Sequence, residues 1–312
     1  MSVITFGEML IDFVSMETGV TVGEASGFVK APGGAPANVA VAVARLGHPA
    51  AFMGQVGDDP FGHYLAEVLR AEGVSIDGLT FSPLARTALA FVSLRADGDR
   101  SFMFYRHPSA DMLMTPEDVR IDVISRYSIL HYGSISLIAR DSRSATLKAV
   151  RTAQHNGMRI SYDPNLRLAL WPSADAAREG MWTGFDYAHI VKISEEEVEF
   201  LTGSHEISRL WRPQTELIVV THGPGGATFY TREGQAHVPG FVVSAADTTG
   251  AGDAFVAALL TQTLEHGPGY LEHLPDIVRF ACAVGALTTL KKGAIPALPT
   301  RQQVDEFLKA HS

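Results

Sequence analysis

Seven consecutive residues, Asp247-Thr248-Thr249-Gly250-Ala251-Gly252-Asp253, run directly into a stretch of small apolar residues from Ala254 to Leu260. Glycines let backbone N–H groups turn toward one point. A helix starting there adds the positive end of its dipole, so Gly250, Ala251 and Gly252 predict an anion hole. Asp253 falls in the first helical turn and faces that hole. A carboxylate so placed can accept a hydroxyl proton while the amides hold a transferring phosphoryl group. A helix cap alone needs a single Ser, Thr, Asp or Asn. Two glycines, two threonines and two aspartates in seven residues exceed that need.

A second cluster reads Ala31-Pro32-Gly33-Gly34-Ala35-Pro36-Ala37-Asn38 and leads into an Ala/Val helix ending at Arg45-Leu46-Gly47. Pro36 suits the first turn and Gly47 the position just past the end. Gly33 and Gly34 allow close backbone approach to a ligand. The Asn38 amide is both donor and acceptor, the mixed capability that vicinal hydroxyls of a sugar require.

Other chemistries lack their residues. Neither a Walker A loop nor the dinucleotide glycine pattern occurs, because Phe255 stands where the third glycine would be. The His-Glu-x-x-His and Gly-x-Ser-x-Gly patterns are absent too, which argues against a zinc protease or serine hydrolase. The twelve histidines are scattered; His107 and His131 read as surface or packed residues rather than metal ligands. With Cys282 the only cysteine, no intrachain disulfide or cysteine-built zinc site forms. A formal charge of -9 disfavours nucleic acid as a partner. No apolar run approaches the roughly 20 residues of a membrane span, and the amino terminus carries no signal-peptide pattern. A soluble cytoplasmic protein is expected.

The elements that must position these residues are short apolar, β-branched runs alternating with helical stretches: Val3–Phe6, Ala51–Val56, Ile129–Tyr132, Arg159–Tyr162, His189–Ile193 and Leu217–Thr221. This alternation predicts an α/β fold with a mostly parallel sheet covered by helices. Ligands bind at the carboxyl ends of such strands. Those ends carry Gly7 with Asp12, Gly133, Asp163 with Asn165, Lys192 with Ser194, and Thr221 with Gly223. Thr87–Leu94 and Arg100–Tyr105, joined by a turn with Asp97 and Gly98, predict a β-hairpin. Leu89, Ala90, Phe91 and Val92 make its first strand apolar on both faces. A small lid with substrate on one side and a second copy of the chain on the other would cover it, giving a homodimer; a hairpin packed wholly onto its own domain is the alternative.

Together these residues resemble the ribokinase-like, or PfkB, carbohydrate kinases. Both family motifs are present in order: Gly33 to Asn38 continuing through Gly47 to Gly57, and Asp247 to Asp253 with Ala257 and Ala258. The likeness to the fructokinase branch extends over nearly the whole chain, through Gly7-Glu8-Met-Leu-Ile-Asp12, Arg86 to Phe91, Phe102 to Arg106, Ser109-Ala-Asp111, His131 to Ser136, Asp163-Pro-Asn165-Leu-Arg167 and Lys292 to Pro296. The resemblance implies a single domain over residues 1–312: a three-layer α/β/α core and a discontinuous β-sheet lid at roughly residues 13–32 and 87–107.

It also implies ATP as donor, magnesium, and Asp253 as catalytic base. Asp12, Gly33, Gly34, Asn38, Phe91, Tyr105, Arg106, Asn165 and Arg167 would line the sugar site. Lys192, Ser194, Thr221, Gly223, Gly226 and Cys282 would border the nucleotide. Glu197 matches the acid of an Asn-x-x-Glu motif that organises magnesium through water, with Ser194 standing where relatives have Asn. A monovalent cation, potassium, is implied beside Asp247, Thr249, Thr288, Lys291, Gly293 and Ala297. The acceptor implied is D-fructose, phosphorylated on a hydroxymethyl group, with the sugar acid 2-keto-3-deoxygluconate as the competing substrate because Arg106 and Arg167 could pair with a carboxylate. A sugar-binding regulator without catalysis is the remaining alternative, and intact Gly250, Gly252 and Asp253 argue against it.

Overall fold

The computed structural model describes residues 1–94 and 100–311; the expected turn at Asp97 and Gly98 lies outside them. In chain order the strands are β1 (Val3–Phe6), β2 (Leu10–Thr18), β3 (Phe28–Gly33), β4 (Ala50–Gly57), β5 (Ser75–Ser82), β6 (Ala88–Leu94), β7 (Arg100–Tyr105), β8 (Ile129–Gly133), β9 (Arg159–Asp163), β10 (Ile190–Ser194), β11 (Leu217–Thr221), β12 (Gly226–Tyr230) and β13 (Gln235–Pro239). Nine of them form one sheet in the order β13-β12-β11-β10-β9-β8-β1-β4-β5, and four form a second, β3-β2-β6-β7.

The six strands expected from sequence are the contiguous centre of the large sheet, and every pairing among them is parallel. Alternation along them sorts side chains to two cores. On β11, Leu217 and Val219 enter one cluster while Ile218 and Val220 enter the other; on β10, Ile190 opposes Val191 and Ile193 in the same way. Helices close both clusters, which yields the three-layer arrangement. β5, β12 and β13 extend the edges, β5 in parallel and the other two antiparallel. Their Gly, Ser and charged residues hide them from a search for apolar runs.

The second sheet starts at Leu10 rather than near residue 13. β6 and β7 form the expected antiparallel hairpin, while β6 also pairs in parallel with β2. One face of this sheet carries Leu10, Ala88 and Ala90 with Phe104 against them. The opposite face carries Phe13 and Phe91 with ring centroids stacked at 5.0 Å, and Phe28 and Tyr105 edge-on to Phe91 at 5.1 and 5.5 Å. The chain itself thus covers much of what seemed to demand a partner: Ala90 is buried, and Leu89 packs onto the main core.

Asp59 anchors this sheet to the body. It caps the helix Pro60–Ala71 by accepting from Phe61 N and Gly62 N, and it also accepts from Thr87 N at 2.8 Å and Thr87 Oγ1 at 2.9 Å, where β6 begins. Removing the carboxylate leaves four donors without their acceptor. Asp59→Ala should lower unfolding free energy by about 2 kcal/mol. Denaturant midpoints for parent and variant check this, and a loss below ~0.5 kcal/mol would refute the anchoring role.

Candidate active site

Two helices aim their amino termini at one spot. The helix Ala35–Arg45 is capped by Gly34 and has Pro36 in its first turn; the helix Ala251–His266 begins after Gly250. Their contact is built from Ala and Val on the first and Ala254, Ala257 and Ala258 on the second, all in one core cluster. Small side chains let the axes approach closely. The result is a hydrogen bond from Asn38 Nδ2 to Asp253 Oδ2 at 2.8 Å, across 215 residues of sequence.

The glycines are there for steric reasons. A Cβ on Gly33 would lie 2.1 Å from Asp12 Oδ2, so the Asp12 carboxylate of β2 can lie against the end of β3 only where no side chain stands. Gly250 has φ 78°, and a Cβ there would meet Ala294 at 2.9 Å.

These elements wall a cleft of about 540 Å³ between the two sheets, at the carboxyl ends of β9 and β10. Of the expected residues, Asp12, Gly34, Asn38, Arg106, Asn165, Arg167, Lys192, Asp247, Thr249, Gly250, Gly252, Asp253 and Gly293 line it. Gly33 stands just behind, against Asp12.

Other expectations need correction. Phe91 and Tyr105 lie in the aromatic cluster on the far face of the second sheet, not on the cleft. Side chains alternate along a strand, so Phe104, two before Arg106, shares its face, and Val92 replaces Phe91. Alternation counted from Arg106 would have found Phe104 in the sequence. Ala251 does not line the cleft, and its amide donates to Thr248 O at 3.3 Å. The first-turn amides of Gly252 and Asp253, which have no intrahelical acceptor, remain for an anion. Cys282 packs in the apolar core, where burial pushes its thiol up to about 11.

Glu197 is spent structurally. Its Oε1 accepts from Leu166 N at 2.6 Å and its Oε2 from Ser194 N at 2.9 Å, while Ser194 Oγ caps the same helix. It is absent from the cleft wall. Ser194, Thr221, Gly223 and Gly226 also stand outside that wall, on the neighbouring strand ends, with Ser194 and Thr221 in register. His131 is buried with Nδ1 3.0 Å from Ser161 Oγ, and burial drives it down to about 3, so it is a packed neutral ring.

Glu8 was quoted in the motif strings but given no role, yet it lines the cleft. An acid placed at the end of an apolar strand is its only signal in the sequence.

The electrostatics favour phosphoryl chemistry. Burial raises Asp253 to about 6; the Asn38 hydrogen bond, Arg167 and Lys192 pull it down, and Asp163 pushes it up. Lys192 Nζ lies 3.1 Å from Asp163 Oδ2. Burial opposes its charge, but Asp163, Glu197 and Asp253 outweigh that and hold the ammonium above its ordinary value. The same Nζ sits 3.2 Å from where a Cβ of Gly252 would be, beside the helix terminus. A base, a fixed cation and first-turn amides therefore converge at one end of the cleft.

Asp247 joins two loops on the other side. Oδ1 accepts from Thr249 N and Oγ1 at 3.0 and 2.7 Å, and Oδ2 from Gly293 N at 2.9 Å. Thr288 Oγ1 donates to Val284 O within its own helix, leaving its hydroxyl engaged there. Among the described residues, no group of three or more His, Cys, Asp or Glu is arranged to hold a metal ion.

Comparison with known proteins agrees with this geometry. The chain is 52% identical to fructokinase-2 of Solanum habrochaites over 314 residues, 98% of this chain and 96% of that one. It is 53% identical to fructokinase-1 of Zea mays over 315 residues, 98% and 97% of the two chains. Among solved structures, a fructokinase from Xylella fastidiosa with bound ATP superposes with a TM-score of 0.92 at 36% identity, covering 99% of this chain and 98% of that chain. A fructokinase double mutant from Vibrio cholerae O395 in a fructose-, ADP- and potassium-bound form gives 0.87 at 37% identity, covering 98% of each chain. Residues 1–301 match the pfkB family of carbohydrate kinases, and the chain belongs to that family.

Proposed function

We propose that this enzyme transfers the γ-phosphoryl group of ATP to the hydroxymethyl oxygen of D-fructose, giving D-fructose 6-phosphate, with Asp253 as general base. One observation carries the assignment of the base: a buried carboxylate, oriented by Asn38, stands at a helix amino terminus beside Lys192. The fructokinases of more than half-identical sequence supply the substrate class.

The sugar lies between Asp12, Asn38, Arg106 and Asn165, with the reacting hydroxyl toward Asp253. Asp253 takes its proton as the oxygen attacks the γ-phosphorus and ADP leaves. The amides of Gly252 and Asp253 and the Lys192 ammonium stabilise charge on the transferring group. The nucleotide lies over the ends of β10 and β11, near Ser194, Thr221, Gly223 and Gly226. Mg2+ would be bound mainly through the phosphates of ATP and water, and would supply charge neutralisation between the β- and γ-phosphates. A monovalent cation would be held beside the loops that Asp247 joins, by residues among Thr249, Thr288, Lys291, Gly293 and Ala297. Glu197 acts by fixing Leu166 and Ser194 rather than by touching the metal.

No helix among the described residues is long and apolar enough to cross a membrane, and a buried lone cysteine suits a cytoplasmic enzyme. A homodimer through the second sheet is the reading its remaining exposed apolar groups support: Tyr105 is 58% exposed on the aromatic face, and Met16, Val29 and Met103 are exposed as well.

The base assignment has two signatures. Asp253→Asn should retain fructose binding and lose roughly two to four orders of magnitude in kcat. In the parent, the active form is ionised Asp253, raised to about 6. The kcat/KM for fructose should therefore be flat above that pH and fall as pH drops through it. Parent-like turnover in the variant, or no acid limb, removes Asp253 from the chemistry. Chelation of Mg2+ in the presence of ATP should abolish ADP formation, and its return should restore it. Sedimentation at micromolar concentration should give twice the mass of one chain, and Tyr105→Glu should shift it to that of a monomer; a monomeric parent refutes the dimer.

A further inference from the structure

Arg106 lines the sugar cleft yet is only 4% exposed. Its Nη2 donates to Asp111 Oδ2 as an ion pair, and Asp111, 8% exposed, stands behind the wall rather than on it. Ser109 Oγ donates to the other carboxylate oxygen at 2.5 Å, so Asp111 is held in place from both sides. Arg106 Nε has no partner among the described residues.

Arg106 therefore offers directional N–H groups while its charge is already balanced. Glu8 is 3% exposed on the same wall, and burial raises its carboxyl to about 7 while Arg106 pulls it down and Asp111 and Asp253 push it up. Among the described residues the inner cleft thus holds Glu8 and Asp253 with two buried cations, Lys192 matched by Asp163 and Arg106 matched by Asp111, while Lys292 on its wall is exposed. Arg167 has no carboxylate partner among the described residues, but it is exposed and bonds its guanidinium to the backbone at Leu166 O.

We propose that Asp111 sets substrate specificity from outside the cleft: by pairing with Arg106 it makes the sugar pocket bind uncharged ketoses and reject sugar acids of the same size. A carboxylate displaces water to enter such a pocket and finds no unmatched buried cation among the described residues, whereas hydroxyl groups use the same donors at no charge cost. Asp111 is a positioning residue in this scheme, since it acts only through Arg106. The inference rests on fructose as the substrate of this cleft.

The test compares kcat/KM for D-fructose and for 2-keto-3-deoxygluconate in the parent, Asp111→Asn, Asp111→Glu and Ser109→Ala. Asp111→Asn keeps shape and a hydrogen-bond acceptor but removes the charge, and should raise the acid-to-fructose ratio at least tenfold. Asp111→Glu, which keeps the charge, and Ser109→Ala, which loosens the support without altering charge, should leave the ratio near the parent's. A ratio changed less than threefold in Asp111→Asn, or changed equally in Ser109→Ala, overturns the proposal. If Asp111→Asn does not fold, inhibition of the parent decides. D-Glucitol should compete with fructose at least tenfold better than D-gluconate, and equal inhibition overturns the proposal. A parent that fails to phosphorylate fructose would instead refute the substrate reading itself.

Discussion

The meeting of two helix amino termini at the Asn38–Asp253 hydrogen bond is the constraint on which the site depends. Both helices would individually repel a third positive terminus and attract an anion. Bringing them together needs close axes, and the Ala and Val residues between the helices Ala35–Arg45 and Ala251–His266 permit that approach. The same closeness buries Asp253, which raises its affinity for a proton. The packing that builds the anion site therefore also tunes the base. A larger side chain in that interface would disturb the chemistry without touching substrate.

Charge in the cleft is managed by pairing. Lys192 on β10 reaches Asp163 on the neighbouring β9, so two residues on adjacent parallel strands hold one cation at the cleft without leaving it bare in a buried place. Glu197 works one layer further out. By accepting from Leu166 N and Ser194 N it fixes the loop that carries Asn165 and Arg167 to the end of β10. A carboxylate that binds two backbone amides positions these two loops relative to each other.

Much of this was legible in the sequence where a residue's type is dictated by backbone geometry. Gly33, Gly34, Gly250 and Gly252 in their two clusters, the helix limits at Pro36 and Gly47, and the six central strands all follow from local rules, and the structure has them there. What local rules miss is which face of a strand meets which neighbour. The resemblance put Phe91 and Tyr105 on the sugar side, whereas strand alternation puts their neighbours Val92 and Phe104 on the cleft. β12 and β13 are legible only through their partners, since the polar residues of Gln235–Pro239 face solvent at an edge. Glu8 and Asp111 escaped for a different reason: a buried acid looks like a surface acid until its cation is located.

The second sheet resolves the conflict between holding a sugar and releasing it. Its strand β2 alternates Leu10, Asp12 and Val14 toward the cleft with Ile11 and Phe13 away from it. Ile11 is buried in the main core and Phe13 packs edge-on to Phe61 of the helix Pro60–Ala71 at 5.8 Å, so the base of the sheet is fixed by apolar contact and by Asp59. Toward its far end the anchoring thins, and Val14, Met16 and Val29 are exposed. Burial therefore falls along the strand from Asp12 to the rim. Local stability follows burial, so the outer end of this sheet opens at a lower free-energy cost than its anchored base.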